Sequence, residues 1–160
     1  MRKTLLLMCG PSGAGKSYWV KNFINNNSNA VWVSRDAVRF SMVSEDEEYF
    51  SKEDAVFKEW IQQIQEALDS DAEGYVIADA THLTERSRNK TLNALRFKDD
   101  KIIPVYAYPG VAKCLEQNEQ RTGRARVPRS VIRRMCASFE EPTMDEKYKY
   151  YSILKVVDKS

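Results

Sequence analysis

A glycine-rich segment at Gly10–Ser17 leaves few folds open to this chain. It reads Gly-Pro-Ser-Gly-Ala-Gly-Lys-Ser, which fits the pattern G-x-x-x-x-G-K-S, and it follows an apolar run at Lys3–Cys9. Glycines here let backbone N–H groups turn inward around phosphate oxygens, and a following helix adds its unpaired amides. Lys16 then reaches the β- and γ-phosphates, and the Ser17 hydroxyl can ligate Mg²⁺. The segment predicts binding of ATP or GTP with Mg²⁺ at the end of a buried strand.

Apolar runs alternate with helical periodicities along the rest of the chain. The expected strands are Lys3–Cys9, Ala30–Ser34, Tyr75–Ala78, Ile102–Ala107 and Ile153–Val157. The clearest expected helices cover residues 52–69, preceded by a capping pattern that begins at Ser51, and 129–139, opened by Pro128. This alternation favours an α/β fold with a parallel sheet covered by helices on both sides.

The composition fits one globular domain. The chain has 160 residues, a net charge of +2 and 42% hydrophobic residues, which is too apolar for a disordered polyampholyte. Its longest uninterrupted apolar run, Leu5–Cys9, is far shorter than the ~20 residues of a membrane span, so we expect neither a membrane partner nor an export signal. Cys9, Cys114 and Cys136 form no CxxC pair, so the sequence suggests no disulfide framework or zinc site, and we expect a cytoplasmic protein.

An acid and a base follow the second expected strand. Asp36 and Arg39 lie three residues apart, so they share one face of a helical turn. Ligands in open α/β sheets bind outside the carboxyl ends of the strands. Asp36 is therefore a candidate acceptor of a proton from an attacking hydroxyl, and Arg39 a candidate partner for an acceptor phosphate. The alternative is a helix N-cap at Asp36 with an ordinary ion pair.

A second strand end carries Asp79, a usual position for an acid that holds Mg²⁺ or its waters, so we expect Ser17 and Asp79 at the metal. Thr81 and His82 follow within three residues and are candidates for substrate contact, although a lone histidine is as readily structural. Thr84 is expected to cap the helix that comes next.

Charge is segregated along the chain. Residues 45–54 hold six acids and one lysine, a net charge of −5, whereas residues 113–134 hold seven bases and two acids, a net charge of +5. Both runs fit solvated helix faces. The basic stretch from Gln120 to Pro128 also lies between two helical segments, with Gly123 able to hinge. An arginine that closes over a transferring phosphoryl group can raise the rate by ~10³ to 10⁵, so we expect this stretch to be a lid.

Together these residues resemble a known family. The segments GPSGAGKS, SRDAVR, ADATHL, NEQRTGRARVP and FEEPTMDEKY, in this order, are similar to those of the 5′-hydroxyl polynucleotide kinase domain of phage and bacterial end-healing enzymes, within the wider group of small P-loop kinases. The resemblance covers nearly the whole chain. It implies one domain, 1–160, with a three-layer P-loop kinase fold, a central parallel sheet flanked by helices, and an Arg-rich lid at about 111–128.

The resemblance also implies roles for individual residues. Asp36 would be the general base on the 5′-hydroxyl of DNA or RNA, Arg39 would hold the adjacent phosphate, and Asp79 would order the site. Two departures are visible: Gln117 precedes Asn118 where some phage-type relatives have arginine, and the lid is one residue longer. Several lid arginines therefore compete for the donor phosphates. The residues expected to hold ATP are Gly10, Ser12, Gly13, Ala14, Gly15, Lys16, Ser17, Tyr18, Arg121, Arg124 and Arg126, with Lys16, Asp36, Arg39 and Arg121 as the catalytic set.

Two other functions fit the sequence. A kinase of the same fold that acts on a sugar, nucleoside or metabolite agrees with the modest net charge and with the lack of aromatic residues in RTGRARVPR that could stack bases. A non-catalytic nucleotide-binding module would bind ATP without consuming it. Its partner would dock on the acidic segment 45–54 or on the tyrosines near the end of the sequence.

Overall fold

Strands and helices alternate through the part of the chain that the structure describes, residues 3–157 of a computed structural model. The elements are β1 (Lys3–Cys9), α1 (Lys16–Asn26), β2 (Ala30–Ser34), α2 (Arg35–Met42), α3 (Glu53–Asp69), β3 (Gly74–Asp79), α4 (Glu85–Asn93), β4 (Lys101–Tyr106), α5 (Val111–Glu119), a 3₁₀ turn (Gly123–Ala125), α6 (Arg129–Ser138) and β5 (Leu154–Lys155). None of the helices in residues 3–157 has both the length and the apolar composition that crossing a bilayer requires.

All strands join one parallel sheet in the order β2-β3-β1-β4-β5. The continuous apolar run of β1 explains its central place, because a strand covered on both faces needs apolar side chains at successive positions. Leu5, Leu6, Leu7 and Met8 are all almost completely buried. The glycine-rich segment leaves the end of this central strand and is therefore attached to the best-buried part of the sheet.

Helices cover both faces of the sheet. Leu5 and Leu7 point to one face and pack with Trp60 and Ile64 of α3 and with residues of α2 and α4. Leu6 and Met8 point to the other face and pack with Val20 of α1. A third apolar cluster joins α5 and α6 to the glycine-rich segment: Ala14, Ala107, Cys114, Leu115, Ile132 and Cys136. The result is the three-layer α/β architecture of the P-loop kinase fold.

The expected elements are confirmed with small shifts at their ends. The expected fifth strand, residues 153–157, is reduced to two exposed residues, because it lies at the sheet edge and pairs only with β4. The expected capping pattern at Ser51 is wrong: α3 begins after Lys52, and no side chain caps it. Pro128 directly precedes α6 rather than lying in its first turn. Thr84 caps α4 as expected, in a capping box with Ser87.

Candidate active site

Close backbone packing fixes the glycine-rich segment, which we call the P-loop, over the sheet. Gly13 has a φ of 84°, in the left-handed region, and a Cβ there would collide with the backbone carbonyl of Cys114 in α5. Gly10, with a φ of 141°, lies equally close to the carbonyl of Ala107 after β4. The Gly10 N–H donates to the Thr81 carbonyl at 2.8 Å. Only glycine allows the backbone to come so close to these two carbonyls. The P-loop therefore packs against α5 at one point and against the end of β4 at another.

The N-terminus of α1 forms the base of an anion cradle. Gly15 is its N-cap, with a φ of 99°, and no side chain caps the helix there. Its first N–H groups and the positive end of the helix dipole are therefore available to an anion. Lys16 is buried beside them, and its Nζ donates to the carbonyls of Gly10 and Pro11 at 2.5 and 3.0 Å. An ammonium group held by two neutral carbonyls beside an uncapped helix N-terminus fits the phosphates of a nucleotide.

Asp79 faces this cradle from the end of β3. Its Oδ2 accepts from the Trp32 indole N–H of β2 at 2.9 Å, which orients the carboxyl group. Burial raises the pKa of Asp79, and the Lys16 charge opposes this shift. Burial likewise lowers the pKa of Lys16, and Asp79 opposes it. Asp79 and Lys16 thus lie within electrostatic reach of each other.

Residues 3–157 contain no group of three or more His, Cys, Asp or Glu side chains that could hold a metal alone. Mg²⁺ usually keeps several waters and binds through one or two protein oxygens and the substrate phosphates. Ser17, half-buried at the start of α1, and Asp79 offer such oxygens beside the cradle. These residues fit a nucleotide with Mg²⁺.

A second group of polar side chains, expected to contact the acceptor, lies on α2. Ser34 caps this helix by accepting from the Ala37 N–H at 3.2 Å, so Asp36 lies in the first turn and is not the N-cap. Its side chain is 61% exposed, and Oδ1 lies 2.6 Å from Nη1 of Arg39. The Asp36 charge also raises the pKa of both Lys16 and Asp79, opposing burial at Lys16. The exposed carboxylate therefore lies within electrostatic reach of the nucleotide cradle.

Arg39 is buried and already occupied by protein groups. Its Nε and Nη2 donate to the two oxygens of Glu53 at 2.5 and 3.0 Å, and its Nη1 donates to Asp36 and to the Tyr49 hydroxyl. Arg35 also donates to Glu53, at 3.2 Å. Arg39 thus holds Asp36 in place, and an acceptor phosphate would compete with Glu53 for the same guanidinium edge.

The arginines of the expected lid take different positions. The Arg121 charge lowers the pKa of both Lys16 and Asp79, which places it near the nucleotide cradle. Arg124 points toward α2, where it donates to the Val43 carbonyl and lies over the Phe40 ring, 4.7 Å from its centroid. Arg126 is exposed and pairs with Glu119. Of the three, Arg121 is the one whose charge acts on the residues of the cradle.

His82 does not reach the site, so its expected contact with substrate is corrected. The ring is buried, with Nδ1 2.7 Å from the Met8 carbonyl and Nε2 2.8 Å from Oγ1 of Thr91. Burial lowers its pKa to about 3. Both ring nitrogens therefore have partners inside the protein. Thr81 supports the P-loop through its backbone carbonyl, and its half-buried side chain borders the same region.

A match to a family model places the chain among known proteins. The model is described as an AAA domain, and it matches residues 5–142. The chain belongs to this family. A search of the curated proteins found no match.

The AAA domain also resembles solved structures of low sequence identity. A chain of the Pnkp1/Rnl/Hen1 RNA repair complex is 21% identical with a TM-score of 0.71, over 85% of this chain and 43% of that one. A fungal RNA kinase is 12% identical with a TM-score of 0.67, over 98% and 75%. An unliganded sugar kinase from Janibacter sp. HTCC2649 is 13% identical with a TM-score of 0.64, over 98% and 84%. The AAA domain spans less than half of the first of these chains, and likeness at this identity describes the fold.

The sequence did not indicate several residues that hold the site of this AAA domain together. Arg88 and Glu146 form an ion pair at 2.8 Å with both side chains almost fully buried. Arg88 also donates to the carbonyl of His82 at 2.9 Å. Glu146 lies in the FEEPTMDEKY segment, so that segment ties the end of the fold to the loop after β3. The sequence shows Glu146 as one acid among several in this segment. Its partner Arg88 lies 58 residues earlier, in the polar helix α4, so no local pattern indicates the pair.

The acidic segment of the AAA domain divides into two parts. Glu45 to Glu48 are exposed, as the solvated-face interpretation expects. Glu53 is half-buried and binds both Arg35 and Arg39. Tyr49 joins this group, because its hydroxyl contacts Asp36 and Arg39, each at 3.3 Å. The sequence placed Glu53 in a charge run, whereas it is a direct neighbour of the site.

Proposed function

We propose that this AAA domain is a kinase that transfers the γ-phosphate of ATP, with Mg²⁺, to the 5′-hydroxyl end of DNA or RNA. The observation that carries the proposal is the exposed Asp36 carboxylate, held by Arg39 within electrostatic reach of Lys16. A P-loop protein that only binds nucleotide has no need for a positioned carboxylate at the acceptor side. The likeness to an RNA kinase and to a chain of an RNA repair complex supports a polynucleotide acceptor.

Each residue then has a definite task. Lys16 and the amides of α1 hold the donor phosphates, and Arg121 in the lid, residues 111–128, stabilises charge on the transferring group. Mg²⁺ near Ser17 and Asp79 would neutralise charge on the β- and γ-phosphates. Asp36 accepts the proton of the attacking hydroxyl, and the Arg39 guanidinium orients its carboxylate. Phosphoryl transfer needs mainly positioning and electrostatic stabilisation, which these groups provide.

Label transfer tests the proposal. The protein is incubated with γ-labelled ATP, Mg²⁺ and short DNA or RNA oligonucleotides that carry either a 5′-hydroxyl or a 5′-phosphate, with Lys16→Ala as the blank. We expect label only on the 5′-hydroxyl strands. If neither acceptor is labelled while ATP is still consumed, the polynucleotide acceptor is wrong.

Substitution of the proposed base gives a sharper readout. Asp36→Asn keeps an oxygen for Arg39 but removes the proton acceptor, so kcat should fall by about 10²- to 10⁴-fold. The affinity for ATP, measured by titration calorimetry, should stay the same, because Asp36 lies on the acceptor side. Normal turnover by this variant would contradict the assignment of the base.

One observation favours a second candidate, a small-molecule kinase. The guanidinium expected to bind an acceptor phosphate is already paired with Glu53, and exposed acids at residues 45–48 lie nearby. A neutral hydroxyl compound such as a sugar would not need to displace Glu53. A panel of sugars and nucleosides in the same assay distinguishes the two candidates, since only a small-molecule kinase would label these and leave oligonucleotides unlabelled.

A further inference from the structure

Three aromatic side chains form a patch beside Asp36, which we call the acceptor-side patch: Phe40, Tyr49 and Phe50. The rings of Tyr49 and Phe50 meet edge to face at 4.7 Å, and those of Phe40 and Tyr49 lie 6.1 Å apart. Phe40 is covered by Arg124 of the lid. Phe50 is 57% exposed, on a loop rather than in the core. An exposed phenylalanine of this kind has an open face for a flat ligand.

The patch lies directly beside the proposed general base. Arg39 lies over the rings of Tyr49 and Phe50, 4.9 and 5.3 Å from their centroids, while its Nη1 contacts Asp36 at 2.6 Å. The Tyr49 hydroxyl touches Asp36 directly. A nucleoside whose 5′-hydroxyl is at Asp36 would therefore carry its base toward these rings.

Exposed acids border the patch on one side. Glu45 to Glu48 precede Tyr49 and Phe50 on the same loop, so they repel a phosphodiester chain there. Two cationic side chains, Arg35 of α2 and Lys90 of α4, flank the ring of Phe57 on α3 at 5.2 and 4.7 Å. An acceptor strand placed with its first base on the patch would direct its phosphates away from the acidic loop.

We propose that Phe50, supported by Tyr49, is a stacking platform for the 5′-terminal nucleobase of the acceptor strand. The inference rests on the proposed polynucleotide kinase function and names the part of the acceptor that is recognised. Every base offers a π-face, so the platform accepts all four bases. It also supplies the aromatic contact that the lid segment RTGRARVPR lacks.

An abasic acceptor separates stacking from other effects of mutation. Two 5′-hydroxyl oligonucleotides are compared, one normal and one with an abasic residue at its 5′ end. For the unmodified protein, loss of the base should raise KM by about tenfold, the effect expected for one base stacked on an aromatic ring. Phe50→Ala should raise KM for the normal acceptor about as much and leave KM for the abasic acceptor unchanged. Phe50→Leu, which keeps an apolar side chain without a π-face, should behave like Phe50→Ala.

The controls make each outcome decisive. Tyr151→Ala removes another exposed aromatic side chain, which lies against Lys101, and should change neither KM. Equal ATP affinity in all variants shows that the fold is intact. If Phe50→Ala raises KM for the abasic acceptor as much as for the normal one, the two changes act independently. The stacking platform is then wrong, although the kinase function stands. If the unmodified protein labels no oligonucleotide, the proposed function and the platform are both wrong.

Discussion

His82 shows how a polar residue near the site serves the fold. Its backbone has a φ of 39°, unusual for a residue with a side chain, and its ring connects β1 to α4 through Met8 and Thr91. The neutral ring bridges the carbonyl of Met8 and the hydroxyl of Thr91. This residue therefore holds the loop after β3 beneath the P-loop.

The depressed pKa of His82 predicts a pH-dependent stability. In the unfolded chain the ring titrates near its ordinary value of 6.5, whereas in the fold its pKa is about 3. Between these values only the unfolded chain binds the proton, so the free energy of unfolding should fall as the pH is lowered, by at most ~1.4 kcal/mol per pH unit. Urea denaturation at pH 7.5, 6 and 5 measures this slope. His82→Gln should be less stable at pH 7.5 but show a smaller slope, and equal slopes would contradict the assignment.

Only part of the residue-scale description was available from the sequence. The P-loop pattern and the spacing of Asp36 and Arg39 predicted local geometry, because both depend on neighbours within one turn or loop. The pairing of Arg39 with Glu53 joins the last turn of α2 to the first residue of α3, and no local pattern indicates it. Burial of His82 likewise depends on strands and helices that are distant in sequence.

At the scale of elements, the segment expected to be a lid makes contacts toward both halves of the site. Arg121 lies on the side of the nucleotide cradle, and Arg124 reaches Phe40 and Val43 on the side of α2. The segment that carries them turns at Gly123, whose φ of 58° is left-handed. Movement of this segment would change contacts with donor and acceptor together.

This arrangement predicts unequal effects of the lid arginines. Arg121→Ala should lower kcat by about 10³-fold, because its charge lies where the donor phosphates are expected. Arg124→Ala should act mainly on KM for the acceptor, since its contacts lie on the acceptor side. Arg133→Ala, an exposed arginine on α6, serves as the control and should leave both constants unchanged. Steady-state kinetics with varied ATP and varied acceptor make the comparison, and a larger kcat loss for Arg124→Ala than for Arg121→Ala would reverse the assignment.

Elements were predicted well where burial is strong and poorly where it is weak. The central strand β1 and the helix α3 have apolar patterns that leave little choice of structure. The edge strand β5 is short and exposed. The apolar residues around it predicted a longer strand than the one that pairs in the sheet. The start of α3 is fixed by the pairing of Glu53 with the arginines of α2 rather than by a cap at Ser51.

At the scale of the whole molecule, a buried ion pair joins the segment after α6 to α4. Glu146 accepts from Arg88 at 3.0 and 2.8 Å, from the Thr143 N–H at 2.9 Å and from the Tyr150 hydroxyl at 2.8 Å. Burial alone would raise the pKa of Glu146, but these hydrogen bonds, with Arg88 foremost, bring it below its usual value. The carboxylate is thus charged and fully satisfied.

Breaking this pair should cost much of the stability. Glu146→Gln leaves the Arg88 charge buried without its counterion, so we expect a loss of about 3–5 kcal/mol in the free energy of unfolding. Asp145→Asn, an exposed neighbour, is the matched control and should change it by less than ~0.5 kcal/mol. The double variant Arg88→Met with Glu146→Leu should recover part of the loss, because it leaves no unpaired charge. Denaturant unfolding curves provide the measurement, and a loss in the double variant as large as in Glu146→Gln would contradict this account.

The Arg88–Glu146 pair also constrains the order in which parts of the protein can fold during synthesis. Glu146 follows Arg88 by 58 residues in the chain. During synthesis the sheet strands β1 to β4 and the helix α4 leave the ribosome while this guanidinium still has no counterion to be buried with. The loop that supports the P-loop can therefore reach its final form only after the segment with Glu146 emerges. Nascent chains halted before that point should be open to proteases around α4.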